Sequence, residues 1–212
     1  YMVIALHGAI QLFSNTTRTY IFKDHLKFTI IKKFFGGAII GLLTSVAIVI
    51  LMVHLFEVTS ANEISVDILK AFIGIFIIWY LFFKKPKKEK KASSFIWVGG
   101  ISGISSIFIG ATGPLIAPFF LIKSLLKENI IANKAACQTI THLTKIPLFM
   151  YFFNVSYIEN YDILLPMVIA VFIGTNFGKK ILSFIPEKLF KKLFRFTLLV
   201  IAIRLILNFG QY

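Results

Sequence analysis

Long apolar blocks alternate with short polar intervals along the chain, and the blocks have the length of membrane helices. Phe34–Phe56 holds one histidine and no acid or base. Val66–Phe83 carries one aspartate and one lysine, both near its start. Ile163–Gly178 has no charge, and Phe196–Phe209 has a single arginine. About 17–25 such residues cross a hydrocarbon core, so these blocks predict transmembrane helices. Two further, less uniform helices are expected over about Ala5–Leu26 and Ala132–Phe153. The pattern predicts an all-α polytopic membrane protein, multi-pass in the cell (inner) membrane.

One apolar stretch breaks the pattern. "GATGPLIAPFF", Gly110–Phe120, puts two glycines, a threonine and two prolines within nine residues. Non-helical backbone at membrane depth is tolerated only beside protein or a water-filled cavity. A second half-helix is expected from about Pro114, capped by Thr112, with the N–H groups of Gly113, Leu115 and Ile116 facing the break. A helix N-terminus of that kind suits an anion, and Gly110 and Gly113 let it approach the backbone with no Cβ in the way. The plain alternative is a tight packing turn without a ligand.

Charge orients these elements. Lys plus Arg number 23 against 9 Asp plus Glu, a net +14. The bases cluster between apolar blocks, most densely in "KKPKKEKK" at Lys84–Lys91. That is the pattern of cytoplasmic loops, and it turns the charge away from a nucleic-acid partner. With this linker inside, the segment with Glu57 and Glu63 falls outside, and so does "NVSYIENYD" at Asn154–Asp162. Phe95–Leu126 is then flanked by bases at both ends, Lys91 on one side and Lys123 and Lys127 on the other. Phe95–Ile109 would be only about 22 Å long, short of a roughly 30 Å core. A re-entrant hairpin over 95–126 satisfies both facts.

The same order occurs twice. Gln11, Asn15 and Arg18 match Gln138, His142 and Lys145 at i, i+4, i+7. "GGAIIG" at Gly36–Gly41 matches "IGTNFG" at Ile173–Gly178, each expected to bring two helices close through small residues. "ILKAF" at Ile68–Phe72 pairs with "LFKKLF" at Leu189–Phe194. The copies have opposite orientation, which predicts two inverted repeats of about three transmembrane helices, each with a re-entrant glycine-containing hairpin. Residues 1–83 form the first repeat, 84–94 a basic cytoplasmic linker and 95–212 the second repeat. The sequence opens at Tyr1 inside an apolar run without a signal-peptide n-region, so the first hairpin is expected upstream.

Candidate chemistry gathers on two helix faces. Gln138, His142 and Lys145 share one, with Lys145 near mid-depth, where an ionisable group usually faces a cavity or a partner. Arg18 takes the matched place in the other half, with Gln11, Asn15 and His7 beside it. An arginine fork and a lysine point charge can together hold a small oxyanion. The plain alternatives are a snorkelling Arg18, a headgroup or helix-end contact for Lys145, and a hydrogen-bonded interior His142, which could otherwise carry a coupling proton. Cys137 is the sole cysteine, so it offers neither a disulfide nor a metal pair. No HExxH or GxSxG set is present, so an intramembrane enzyme is disfavoured and no cofactor or metal is expected.

In "GATGPLIAPFF", "KAACQTITHLTK" (Lys134–Lys145), "HGAIQLFSNTTR" (His7–Arg18) and the glycine-then-basic pattern at Gly174–Lys180, the chain resembles the TauE/SafE family, the sulfite exporter or sulfonate uptake permeases. The resemblance implies a duplicated module of about three helices per half. It also implies a secondary transporter of small anions, of the sulfite, sulfoacetate and thiosulfate class, working by alternating access. An anion channel and a non-transporting membrane scaffold are the alternatives. The implied partners are a small anionic substrate and the bilayer, with proton coupling and a homodimer left open.

Overall fold

The computed structural model describes residues 2–56, 67–83, 94–108, 112–121 and 124–207. Among these every regular element is helical. In chain order they are α1 (Met2–Ile21), a 3₁₀ turn (Lys23–His25), α2 (Phe28–Phe56), α3 (Asp67–Phe83) and α4 (Ser94–Phe108). Then come α5 (Gly113–Ile116), a second 3₁₀ turn (Ala117–Phe120), α6 (Lys127–Phe153), α7 (Tyr161–Phe184) and α8 (Glu187–Leu207). Gly110, Lys123 and the Lys84–Lys91 run lie outside the described residues.

Polar and apolar side chains are sorted opposite to a water-soluble fold. Ser14, Asn15, Asn133, Gln138, Thr141, His142 and Lys145 are buried, whereas Ile40, Leu43, Phe172, Phe177 and Ile181 point outward. In water such an apolar exterior would drive association; in lipid it is the expected lining. Phe28–Ile48 and Tyr161–Phe184 are long and apolar enough to cross a bilayer, and Ala71–Phe83 is a shorter apolar helix.

α2 and α4 run parallel in close contact. A Cβ at Gly37 or Gly41 would overlap backbone at Ile96 and Gly100, and one at Gly99 or Gly103 would overlap Phe34 and Ala38. Lipid tails give no hydrophobic drive to helix pairing, so close backbone approach supplies the attraction. The matched glycines of α7 behave differently. A Cβ at Gly174 or Gly178 would meet nothing within 4 Å, so the expected close contact there is not made.

After α4 the chain turns back, and Phe120 packs against Phe95 with ring centroids 5.3 Å apart. The return is not the half-length helix expected from Pro114. It is four α-helical residues and a 3₁₀ turn containing Pro118, whose missing N–H and ring oppose helix continuation. Thr112 stands at the N-cap but makes no capping bond, and its hydroxyl is buried without a partner.

α6 starts earlier than its apolar pattern suggests because its polar first turns are tied down. Asn129 and Asn133 donate Nδ2–H to the His25 carbonyl at 2.9 and 3.1 Å, and the Lys27 N–H donates to Asn133 Oδ1 at 2.7 Å. Lys127 Nζ donates to the Leu182 and Ile185 carbonyls at 2.7 and 2.6 Å, closing the α7–α8 corner. These bonds gather the end of α1 and the starts of α2, α6 and α8 at one lysine-rich end of the bundle.

Candidate functional site

α1 and α6 pack antiparallel, with Ala5 against Phe149 near one end and Phe22 against Ala132 near the other. Their shared seam carries most of the buried polar groups. Where it meets α5 and α8, a cavity of about 390 Å³ opens. α1 lines it with His7, Gln11 and Arg18, and α6 with Lys134, Gln138 and His142. Gly113 and Pro114 form the α5 wall, and Thr197 with Phe194, Leu198 and Ile201 closes the α8 side. No acidic residue is among these lining residues.

The donors are held in place. Lys134 Nζ donates to Gln138 Oε1 at 2.6 Å, which leaves two of its three N–H bonds for other acceptors. Arg18 Nη2 donates to Ser14 Oγ at 2.6 Å, fixing the guanidinium while its remaining N–H groups face elsewhere. Arg18 and Lys134 stand on different helices and line the same cavity. His142 is 2% exposed, and its Nδ1 has no hydrogen-bond partner. Buried polar atoms are nearly always paired, so this one is an exception within the seam.

Gly113 is fitted to the site by what it lacks. A Cβ there would lie 2.7 Å from Gln138 Nε2, so only glycine lets α5 close onto the carboxamide that holds Lys134. The short α5 carries little helix dipole.

Six expected site residues line one cavity: Gln11, Arg18, Gly113, Pro114, Gln138 and His142. Asn15, Thr112 and Lys145 do not line it. Asn15 is fully buried in α1, with both side-chain atoms unpartnered. Lys145 is 2% exposed; its Nζ lies 5.1 Å from the Phe149 ring centroid, and its stem runs past Gly8, which has no side chain to block it. The cation beside Arg18 in the cavity is therefore Lys134, not Lys145. Lys134 continues the Gln138–His142 stripe one turn back along α6, a periodicity visible in the sequence. The α8 wall had no such signal, since its residues are those of any apolar helix.

A model of the family described as "Sulfite exporter TauE/SafE" matches residues 2–205. The chain belongs to the TauE/SafE family. Comparison with curated proteins gives no match, and comparison with solved structures gives none. TauE/SafE proteins are integral membrane transporters of the sulfur-anion exporter type. Among the described residues, no cluster of three or more His, Cys, Asp or Glu could hold a metal ion.

Proposed function

We propose that this TauE/SafE chain is a multi-pass transporter that binds a small sulfur oxyanion or organosulfonate between Arg18 of α1 and Lys134 of α6. One observation carries the reading: two cations from different helices meet at a cavity whose lining holds no acid. Two like charges at a buried cavity repel when it is empty and are both stabilised when an anion bridges them. Arg18 offers a planar fork and Lys134 a point charge, while Gln138 keeps the ammonium aimed and His142 adds a ring nitrogen. A volume of about 390 Å³ lies at the small end of small-molecule sites, which suits an ion of a few heavy atoms.

The lysine-rich end is the cytoplasmic one in this account, by the positive-inside rule. Residues 95–126 are then a re-entrant hairpin, a reading supported by the return of Phe120 to Phe95. Inverted repeats on either side of residues 84–94 would exchange access to the Arg18–Lys134 site between the two faces. The cell (inner) membrane is the proposed location.

Full-length protein in liposomes, screened for uptake of sulfite, thiosulfate, sulfoacetate, taurine and simple carboxylates, tests the reading. Saturable, exchangeable flux of a sulfur anion is expected. Lys134→Gln should weaken binding by about 10–100-fold, the worth of one or two charge-assisted hydrogen bonds. Non-saturating flux would indicate a channel, and no flux of any anion would indicate a scaffold.

A further inference from the structure

Arg18 lines two cavities. The second, of about 450 Å³, is an open groove among α1, α6 and α7 with Gly174, Gly178 and Lys179 exposed along one edge, and its polar wall is Ser14, Arg18, Thr175 and Lys179. Ser14, the residue that accepts the Arg18 hydrogen bond, belongs to this second cavity alone. Arg18 is thus bonded to a residue of the second cavity while it also lines the first. Thr175 gives its hydroxyl proton to the Val171 carbonyl at 2.8 Å, so the charged donors here are Arg18 and Lys179. Lys179 Nζ donates to the Ile21 carbonyl at 3.2 Å, one turn beyond Arg18 toward the lysine-rich end. No acid is among the lining residues.

We propose that this second cavity is a separate anion station in series with the first, and that Arg18 passes the anion between them by exchanging its Ser14 bond for the anion in either cavity. The inference rests on the Arg18–Lys134 site binding a small oxyanion, and the same ion is the ligand here. The two stations lie side by side across α1, so an ion held by Lys179 and Arg18 reaches Lys134 by crossing the Arg18 side chain and keeps a cationic donor throughout. That continuity lowers the cost of moving a charge through a low-dielectric interior. The shape of α7 agrees with such a path. Its Gly174 and Gly178 line the cavity, and a Cβ at either would meet nothing within 4 Å, so the glycines leave space instead of a helix contact.

Because that space is open, Gly174→Leu should fold and project its side chain into the second cavity without touching the first. With sulfite as the probe, full-length protein is compared by ligand-induced thermal shift in detergent and by flux in liposomes. Gly174→Leu should keep the parent's shift at low sulfite, where the first station fills, lose the further shift at high sulfite, and lose sulfite flux. Lys179→Gln, which fills nothing, should raise the half-saturating concentration for flux about tenfold, the worth of one charge-assisted hydrogen bond, and weaken only the binding seen at high sulfite. Parent-like flux in both variants would overturn the second station and leave the first intact. Loss of sulfite binding in folded Gly174→Leu would also overturn it, by showing a single continuous site. A parent that neither binds nor transports sulfite would overturn the Arg18–Lys134 site, and the series with it.

Discussion

The α2–α4 and α1–α6 seams are both helix pairs in one bundle, built on opposite plans. Between α2 and α4, glycines on each helix let the backbones meet, and any side chain larger than hydrogen would collide with a carbonyl. Between α1 and α6, the interface buries Asn15, Gln138, His142 and Lys145, and at its junction with α5 and α8 it holds open a cavity. The first seam gains dispersion energy by excluding everything. The second leaves buried polar atoms unpaired, at about 1–3 kcal/mol each, a cost that an anion or its water can offset. Rigidity and vacancy are thus assigned to different helix pairs, and the close-packed pair can hold α4 and the returning segment steady beside the open one.

The sharpest break of that contrast is Gly41→Leu. Its side chain would force two backbones apart, a cost of at least about 3 kcal/mol, at the top of the overpacking range. We expect loss of monodisperse protein in detergent or a large drop in melting temperature. A parent-like melting curve would show that the α2–α4 contact is looser than described.

Gly113→Ala comes next and acts on the α1–α6 seam. The new methyl must displace the Gln138 carboxamide, a flexible chain end, so stability should change little. Lys134 would lose its orienting acceptor, and sulfite affinity should fall about tenfold. Unchanged affinity by thermal shift would return Gly113 to a packing role.

Lys145→Gln should do less. Lys145 does not line the cavity, so its charge reaches the ligand only through the field, and affinity should stay within about threefold of the parent. The variant should insert at least as well, since a buried cation is removed. A larger loss of affinity than in Lys134→Gln would move the site's cation about three turns along α6, from Lys134 to Lys145.

Gly174→Ala is the smallest change. With open space around it, the methyl should leave melting within about 0.5 kcal/mol of the parent or raise it slightly through helix propensity. Destabilisation comparable to that of Gly41→Leu would erase the distinction between the two glycine pairs.

Much of this was legible in the sequence, for identifiable reasons. Apolar blocks announced α2 and α7, because lipid solvation demands a composition that few other environments do. Helical phase placed Gln11 and Arg18 on one face and Gln138 and His142 on another, and these do line a common cavity. What the sequence left open depended on third partners. The α7 glycines looked like those of α2, yet only the latter face a helix that also carries glycines. Lys145 looked like the site cation from its depth, but phase along α6 does not tell which neighbour a long side chain will fold against. The start of α6 at Lys127, ahead of the expected Ala132, had no signal because the carbonyl partners of Lys127 and Asn129, at His25, Leu182 and Ile185, are distant in sequence.

The central claim is that Arg18 and Lys134 hold one anion between them. Sulfite binding measured across the parent, Arg18→Gln, Lys134→Gln and the double variant tests it most directly, with Lys180→Gln at the exposed rim as the charge-matched control. Each single change should remove most of the affinity. The double variant should lose clearly less than the sum of the two, because both contacts serve the same ion, and Lys180→Gln should bind like the parent. Parent-like affinity in Lys134→Gln, or strictly additive losses in the double variant, would contradict the account.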